Sequence, residues 1–267
     1  MMRSSGGGRV PRYSGGGGGG GPASSSSLVR PLQDYFWSSE LPLTALVFLV
    51  PMLIFYEVGT HYYASDWARQ TETRVLAFTM TRRFMALFGA SGRYLPSLAV
   101  IGILLAWHVA RRDRWQLRFG VAGGMVLESA LLAFPLLALS RVVGQYLPLY
   151  ATDTPWQGGV VFAIGAGVYE ELVFRLAAFT ILNIMLVDLL RLEKTPAYLL
   201  ILVASSVLFA SYHYWSPMSA PFRWPDYIFR AAAGIYFGAL FMVRGFGVTA
   251  GCHAAYDIYY FVCRALE

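Results

Sequence analysis

Apolar residues run through this chain in long blocks separated by short polar connections. Seven blocks have the character of membrane-crossing helices: 41–56, 94–110, 119–143, 158–187, 196–212, 227–243 and 247–263. A span needs about 20 apolar residues, fewer where its ends are buried in protein, so several of these sit near the lower limit. An eighth stretch, 73–89, carries Arg82 and Arg83 in the middle of its apolar residues. That pattern predicts an amphipathic helix lying on the membrane surface or packed against the bundle, with a true crossing as the alternative. Ahead of all these, residues 1–27 are rich in glycine and serine, with Arg3, Arg9 and Arg12. Such a tract cannot bury enough apolar surface to fold, and no small-residue cleavage site follows the first apolar run. The expected architecture is all-α: a polytopic membrane helix bundle of seven to eight transmembrane helices. It divides into a disordered tail (1–35), N-terminal transmembrane and amphipathic helices (36–118) and a second membrane domain (119–267).

Composition agrees. Of 267 residues, 57% are hydrophobic and 13% charged, about half the charged share of a soluble domain. The net charge of +6 does not point to nucleic acid, because the basic residues cluster in connections, where membrane proteins keep topology signals. Arg30, the group Arg111, Arg112, Arg114 and Arg118, the pair Arg191 and Lys194, and Arg244 fall on one side of a seven-span bundle. This predicts a cytoplasmic N-terminus; only the basic stretch 69–83 lies on the opposite side. The near-absence of lysine, with Lys194 alone, hints at a GC-rich bacterial genome and so at a bacterial inner (plasma) membrane. Cys252 and Cys263 form neither a disulfide framework nor a C-x-x-C motif and read as small buried hydrophobes.

Three polar constellations interrupt the apolar runs. Ionisable groups at membrane depth are costly and so are candidates for function. In Tyr169-Glu170-Glu171-Leu172-Val173-Phe174-Arg175, Glu171 and Arg175 have the spacing of an intrahelical ion pair. Glu170 lies about 100° round the helix, free to act as a general base or acid; a structural salt-bridge cluster is the alternative. His213 ends the run Phe209-Ala210-Ser211-Tyr212, where a lone histidine is more often an interfacial residue than a catalyst. His253 and Asp257 share a helix face in the last run, as a private hydrogen bond or as part of a site. His61 and His108 read as interfacial, and Glu57, Glu128 and Arg141 as structural, with Glu128 a packing partner for Arg175 or another arginine.

Together these give two glutamates, two histidines and an aspartate on three helices. That set can deprotonate a water and stabilise an oxyanion. It can also hold a divalent metal such as zinc through two histidines and a carboxylate, leaving a position for water, although H-E-x-x-H is absent. Depth is a difficulty. At 1.5 Å per residue, Glu170 and His213 each lie about 26 Å from their span ends at Val187 and Pro196, but His253 only about 9 Å from Gly247. The three converge only if the chain near Gly245, Gly247 and Gly251 turns back inside the bundle, which is tolerated where protein covers it.

Glu170-Glu171-x-x-x-Arg175, Phe209-x-x-x-His213 and His253-x-x-x-Asp257 together resemble the CAAX prenyl protease and bacteriocin-processing (Abi, CPBP) family of intramembrane endopeptidases. The resemblance covers roughly residues 119–263. It implies a bundle of about eight helices with a cavity opening within the membrane, and a membrane-anchored protein or peptide as substrate. By the same resemblance Glu170 and His213 activate the attacking water, His253 and Asp257 form the oxyanion site, and Glu171 and Arg175 support Glu170. The family has been described both as metalloproteases and as glutamate-type enzymes. Its last motif often ends in asparagine where this chain has Asp257, which donates a hydrogen bond only when protonated. A non-catalytic membrane scaffold or immunity protein of the same family is the alternative reading. A proton-coupled transporter is a third, disfavoured by the absence of internal repeats.

Overall fold

A computed structural model describes residues 26–63, 65–66, 71–142, 156–215 and 221–265. The first element is a helix, α1 (Ser26–Ser39). The disordered tail expected over 1–35 is therefore corrected at its end: the glycines stop at Gly21, and the sequence from Leu28 to Trp37 contains none. Residues 1–25 lie outside the described residues. Helix α2 (Pro42–Tyr63) opens with proline in its first turn, where the missing N–H has no partner to lose. It continues past the predicted end at Tyr56 because Glu57 turns inward, onto Arg74 and Ser97. A two-residue antiparallel pairing, β1 (Ser65–Asp66) with β2 (Thr71–Glu72), follows. Next comes α3 (Leu76–Ala86), about 16 Å long and too short to cross a membrane. It buries Ala77 and Phe78 against the bundle and exposes Arg82, Arg83 and Phe84, the amphipathic outcome expected for 73–89.

The remaining elements are α4 (Leu95–Arg111), α5 (Phe119–Leu132), α6 (Phe134–Val142), α7 (Trp156–Glu171), α8 (Ala178–Asn183), α9 (Lys194–Tyr212) and α10 (Trp224–Ala265). Helices α5 and α6 form one apolar span bent next to Pro135. Two π-helical turns, Leu172–Ala177 and Ile184–Leu189, join α7 to α8 and extend α8. Among the described residues five helical segments are long and apolar enough to cross a membrane, and α4 is a shorter apolar helix of 17 residues. The last of the five, α10, is two limbs joined at Gly245, whose backbone leaves the helical region at φ 75°, ψ −175°. Each of the seven predicted spans thus has its helix, and the chain is an all-α integral membrane protein. The predicted connection 147–157 lies, up to residue 155, outside the described residues.

Helix α7 is central, packed against α10 and α2. Backbone meets backbone at Gly167, where an added Cβ would come within 2.6 Å of the Ala250 carbonyl and 2.7 Å of the Ala254 nitrogen. No larger residue fits there without moving the two backbones apart.

The turn at Gly245 resolves the depth conflict. Arg244, just before it, pairs with Glu128 (2.6 Å) and donates to Ser39 Oγ (2.8 Å) and the Phe36 carbonyl (3.3 Å). Tyr35 donates to the same Glu128 at 2.6 Å. Glu128 lies nine residues inside α5, about 14 Å from its start, so the turn is set well into the bundle with α1 tucked against it. Glu128 thus has an arginine partner, but Arg244 rather than Arg175. Two other expectations are corrected. His108 is buried against Trp115 instead of interfacial, since α4 turns it inward. Cys252 is buried as expected, but Cys263, near the end of the last helix, is exposed.

Gly245 occupies a backbone region open essentially to glycine alone. Gly245→Ala is expected to cost about 1–3 kcal/mol, read as a lower midpoint of thermal unfolding in detergent. An unchanged midpoint would mean that the chain does not turn at this residue.

Candidate active site

The three constellations meet. Glu170 and Glu171 sit in the last turn of α7, His213 caps the C-terminus of α9, and His253 and Asp257 lie on the second limb of α10. Glu170 Oε2 stands 3.9 Å from His213 Nε2 and 3.8 Å from His253 Nε2. His253 Nε2 is 3.6 Å from Asp257 Oδ2. Its other nitrogen, Nδ1, lies 2.7 Å from Glu171 Oε1. Arg175 donates to that same oxygen at 3.1 Å, the i,i+4 pair read from the sequence. All six predicted residues are therefore in one cluster.

The local fold explains why each group points where it does. Directly after Glu171 the backbone widens into the π turn Leu172–Ala177; such turns recur at functional sites. Ser205 of α9 donates to the Phe174 carbonyl inside this turn (2.7 Å), fastening α9 to it. Arg175 also donates to the Gly234 carbonyl on the first limb of α10 (3.0 Å). Its guanidinium lies between the rings of Phe209 (4.5 Å) and Phe237 (5.6 Å). Phe237 in turn stacks on the His253 ring, 4.5 Å between centroids and 14° between planes. His213 is oriented by its Nδ1, 2.8 Å from the Phe209 carbonyl. If Nδ1 carries the proton, Nε2 is left as an acceptor facing Glu170.

The site is closely enclosed. The side chains of Glu170, His253 and Asp257 are 5% exposed or less, against 15% for His213. His213 is thus the most exposed member of the cluster. Buried polar atoms are almost always partnered, yet Glu171 Oε2, Arg175 Nε and Asp257 Oδ2 make no hydrogen bond. Among the described residues no group of three histidine, cysteine, aspartate or glutamate side chains is arranged to share a metal ion.

Several contributing residues were not singled out from the sequence. Tyr212 reaches Glu170 Oε1 at 3.4 Å. Tyr169 places its hydroxyl 2.6 Å from Ser97 Oγ, which donates to Glu57, itself paired with Arg74 at 2.7 Å. A tyrosine beside an expensive glutamate is a weak signal in a chain with 17 tyrosines. Arg230, buried on the first limb of α10, carried a stronger one, a charge in the middle of an apolar run.

Neither a curated protein nor a solved structure matches this chain. Residues 152–259, which hold all three constellations, match the model of a protein family described as Rce1-like, Type II CAAX prenyl endopeptidase Rce1-like, so the resemblance to CAAX prenyl proteases is shown over that segment.

Proposed function

We propose that this chain is an intramembrane endopeptidase that hydrolyses a peptide bond in a membrane-anchored protein or peptide with a water activated by Glu170 and His213. The supporting observation is the convergence of Glu170, His213, His253 and Asp257 from three helices around one small volume, open on the His213 side. Water held between Glu170 Oε2 and His213 Nε2 gives its proton to Glu170 as its oxygen attacks the scissile carbonyl carbon. The carbonyl oxygen becomes an oxyanion facing His253 and Asp257. Glu170 then passes the proton to the leaving nitrogen as the C–N bond breaks.

Charge arithmetic bears on Asp257. Three carboxyl groups, Glu170, Glu171 and Asp257, face Arg175 and His253. With His253 doubly protonated, its Nδ1 donates to Glu171 and its Nε2 can donate to the oxyanion. A proton held by Asp257 lets it donate as asparagine would, while Glu170 stays ionised to accept the proton of the water. The chain also keeps its N-terminus in the cytoplasm in this reading, on the strength of the basic connections.

Purified protein is to be incubated with a pool of membrane-anchored peptides. Wild type is expected to cleave, while Glu170→Gln and His213→Ala are expected to lose at least about 100-fold in kcat with unchanged unfolding midpoints. Cleavage unaffected by either variant would rule out this site, and absence of cleavage by wild type would favour a scaffold. A chelator is expected to leave the rate unchanged; loss restored by a divalent ion would favour the metal mechanism instead. Asp257→Asn is expected to keep kcat within about tenfold of wild type. Asp257→Ala, which removes the donor, should lower it by about 10²–10³. Equal losses in the two variants would remove Asp257 from the oxyanion site.

A further inference from the structure

Three arginines are buried among the described residues: Arg175, Arg230 and Arg244. Arg175 is paired with Glu171 and Arg244 with Glu128. Arg230, 8% exposed, makes no ion pair and no hydrogen bond among the described residues. Its one contact of note is with the ring of Tyr214, whose centroid is 5.2 Å from the guanidinium carbon. Burying an arginine without a counter-charge costs several kcal/mol, so the position calls for an explanation.

Its place in the fold supplies one. Arg230 lies on the first limb of α10, one turn before Gly234, whose carbonyl holds Arg175. The preceding turn is tied to the end of α9 by Tyr227 and Ser211, 3.1 Å apart. Tyr214, whose ring carries the Arg230 guanidinium, directly follows His213 in sequence. It therefore stands on the side of the site where His213 is exposed. The 8% of its surface that stays exposed leaves the side chain within reach of a ligand. Asp226, one turn earlier and also buried, has the spacing of an ion-pair partner but does not pair with it.

We infer that Arg230 is the anion-binding residue of the site, taking a carboxylate of the peptide substrate beside the scissile bond. The inference rests on the endopeptidase reading and names the substrate feature it selects. With one face of the guanidinium on Tyr214, its edge offers the two parallel donors that match a carboxylate. The ion pair that is missing in the free protein forms on binding. The carboxylate comes either from the C-terminus of the substrate or from an acidic side chain near its end.

The experiment uses the full chain in lipid nanodiscs and one membrane-anchored peptide in three forms: free C-terminal carboxylate, C-terminal amide, and amide with a glutamate introduced near the end. Cleavage by wild type is compared with Arg230→Gln, Arg230→Lys and Asp226→Asn. Binding of the same peptides to Glu170→Gln and to Glu170→Gln/Arg230→Gln is followed by fluorescence anisotropy. Arg230→Gln is expected to raise KM for the carboxylate peptide about 10- to 100-fold with kcat within about threefold. It should leave the plain amide peptide unaffected, and Arg230→Lys should recover part of the loss. Recovery of wild-type affinity by the glutamate-bearing amide assigns the carboxylate to a side chain; no recovery assigns it to the C-terminus. Equal losses on acid and amide, no loss on either, or an Asp226→Asn profile matching Arg230→Gln would each overturn the inference. Failure of wild type to cleave any peptide counts against the endopeptidase reading, while the binding arm still decides on Arg230.

Discussion

One oxygen, Glu171 Oε1, accepts from Arg175 and lies 2.7 Å from His253 Nδ1, and the rest of the site hangs on it. A carboxylate, a guanidinium and an imidazole with almost no solvent access are each prohibitive alone at membrane depth. Together they cancel most of the cost, provided the geometry holds; deleting one partner of such a group leaves a buried charge and costs about 3–5 kcal/mol. The geometry is held from three directions. The π turn after Glu171 sets Arg175, the Gly234 carbonyl takes the second guanidinium nitrogen, and Phe209 and Phe237 close over its faces. Because Arg175 and His253 both occupy Glu171, Glu170 is left facing His213, the most exposed member of the cluster. Two adjacent glutamates thus acquire different surroundings from a 100° step along one helix.

This arrangement needs both limbs of α10 at the same level. Phe237 on the first limb stacks on His253 on the second, and the two lie eight residues before and eight after Gly245. A turn at the membrane surface would leave His253 too shallow to reach Glu170. Setting the turn inside the bundle fixes the depth but strands backbone and an arginine where lipid cannot solvate them. The remedy is α1, whose Phe36 carbonyl and Ser39 hydroxyl join Glu128 around Arg244, with Tyr35 bridging to the same carboxylate. A helix at the start of the chain is thereby part of the device that positions a histidine near its end.

Much of this was legible in the sequence. Long apolar runs report helices directly, because a lipid environment forbids unpaired backbone and leaves few alternatives. The Glu171–Arg175 pair followed from spacing alone, and the need for a turn near Gly245 followed from the depth of His253. What could not be read is what depends on contacts between distant segments. That Glu128 meets Arg244 rather than Arg175, that His108 turns inward, and that residues 26–39 are helical beneath the turn are decided by packing between helices far apart in sequence. The division of labour around His253 is of the same kind. Periodicity places His253 and Asp257 on one face, but only the fold brings Glu171 to one ring nitrogen and Glu170 with Asp257 to the other.

The segment matching the family begins at residue 152, yet the helices before it bear on Glu170 from behind. Tyr169 is fully buried, packed edge-on against Phe78 and tilted against Tyr56. Its hydroxyl is bound to Ser97 of α4, which leads to Glu57 of α2 and on to Arg74. Turning α7 by one residue's worth of rotation would bring Tyr169 to where Glu170 stands and drag that hydroxyl out of its only polar surroundings. Helices α2 and α4 therefore set the rotation of α7, as α1 sets the depth of α10. The two coordinates that carry Glu170 to His253 are fixed from outside the segment that bears the motifs.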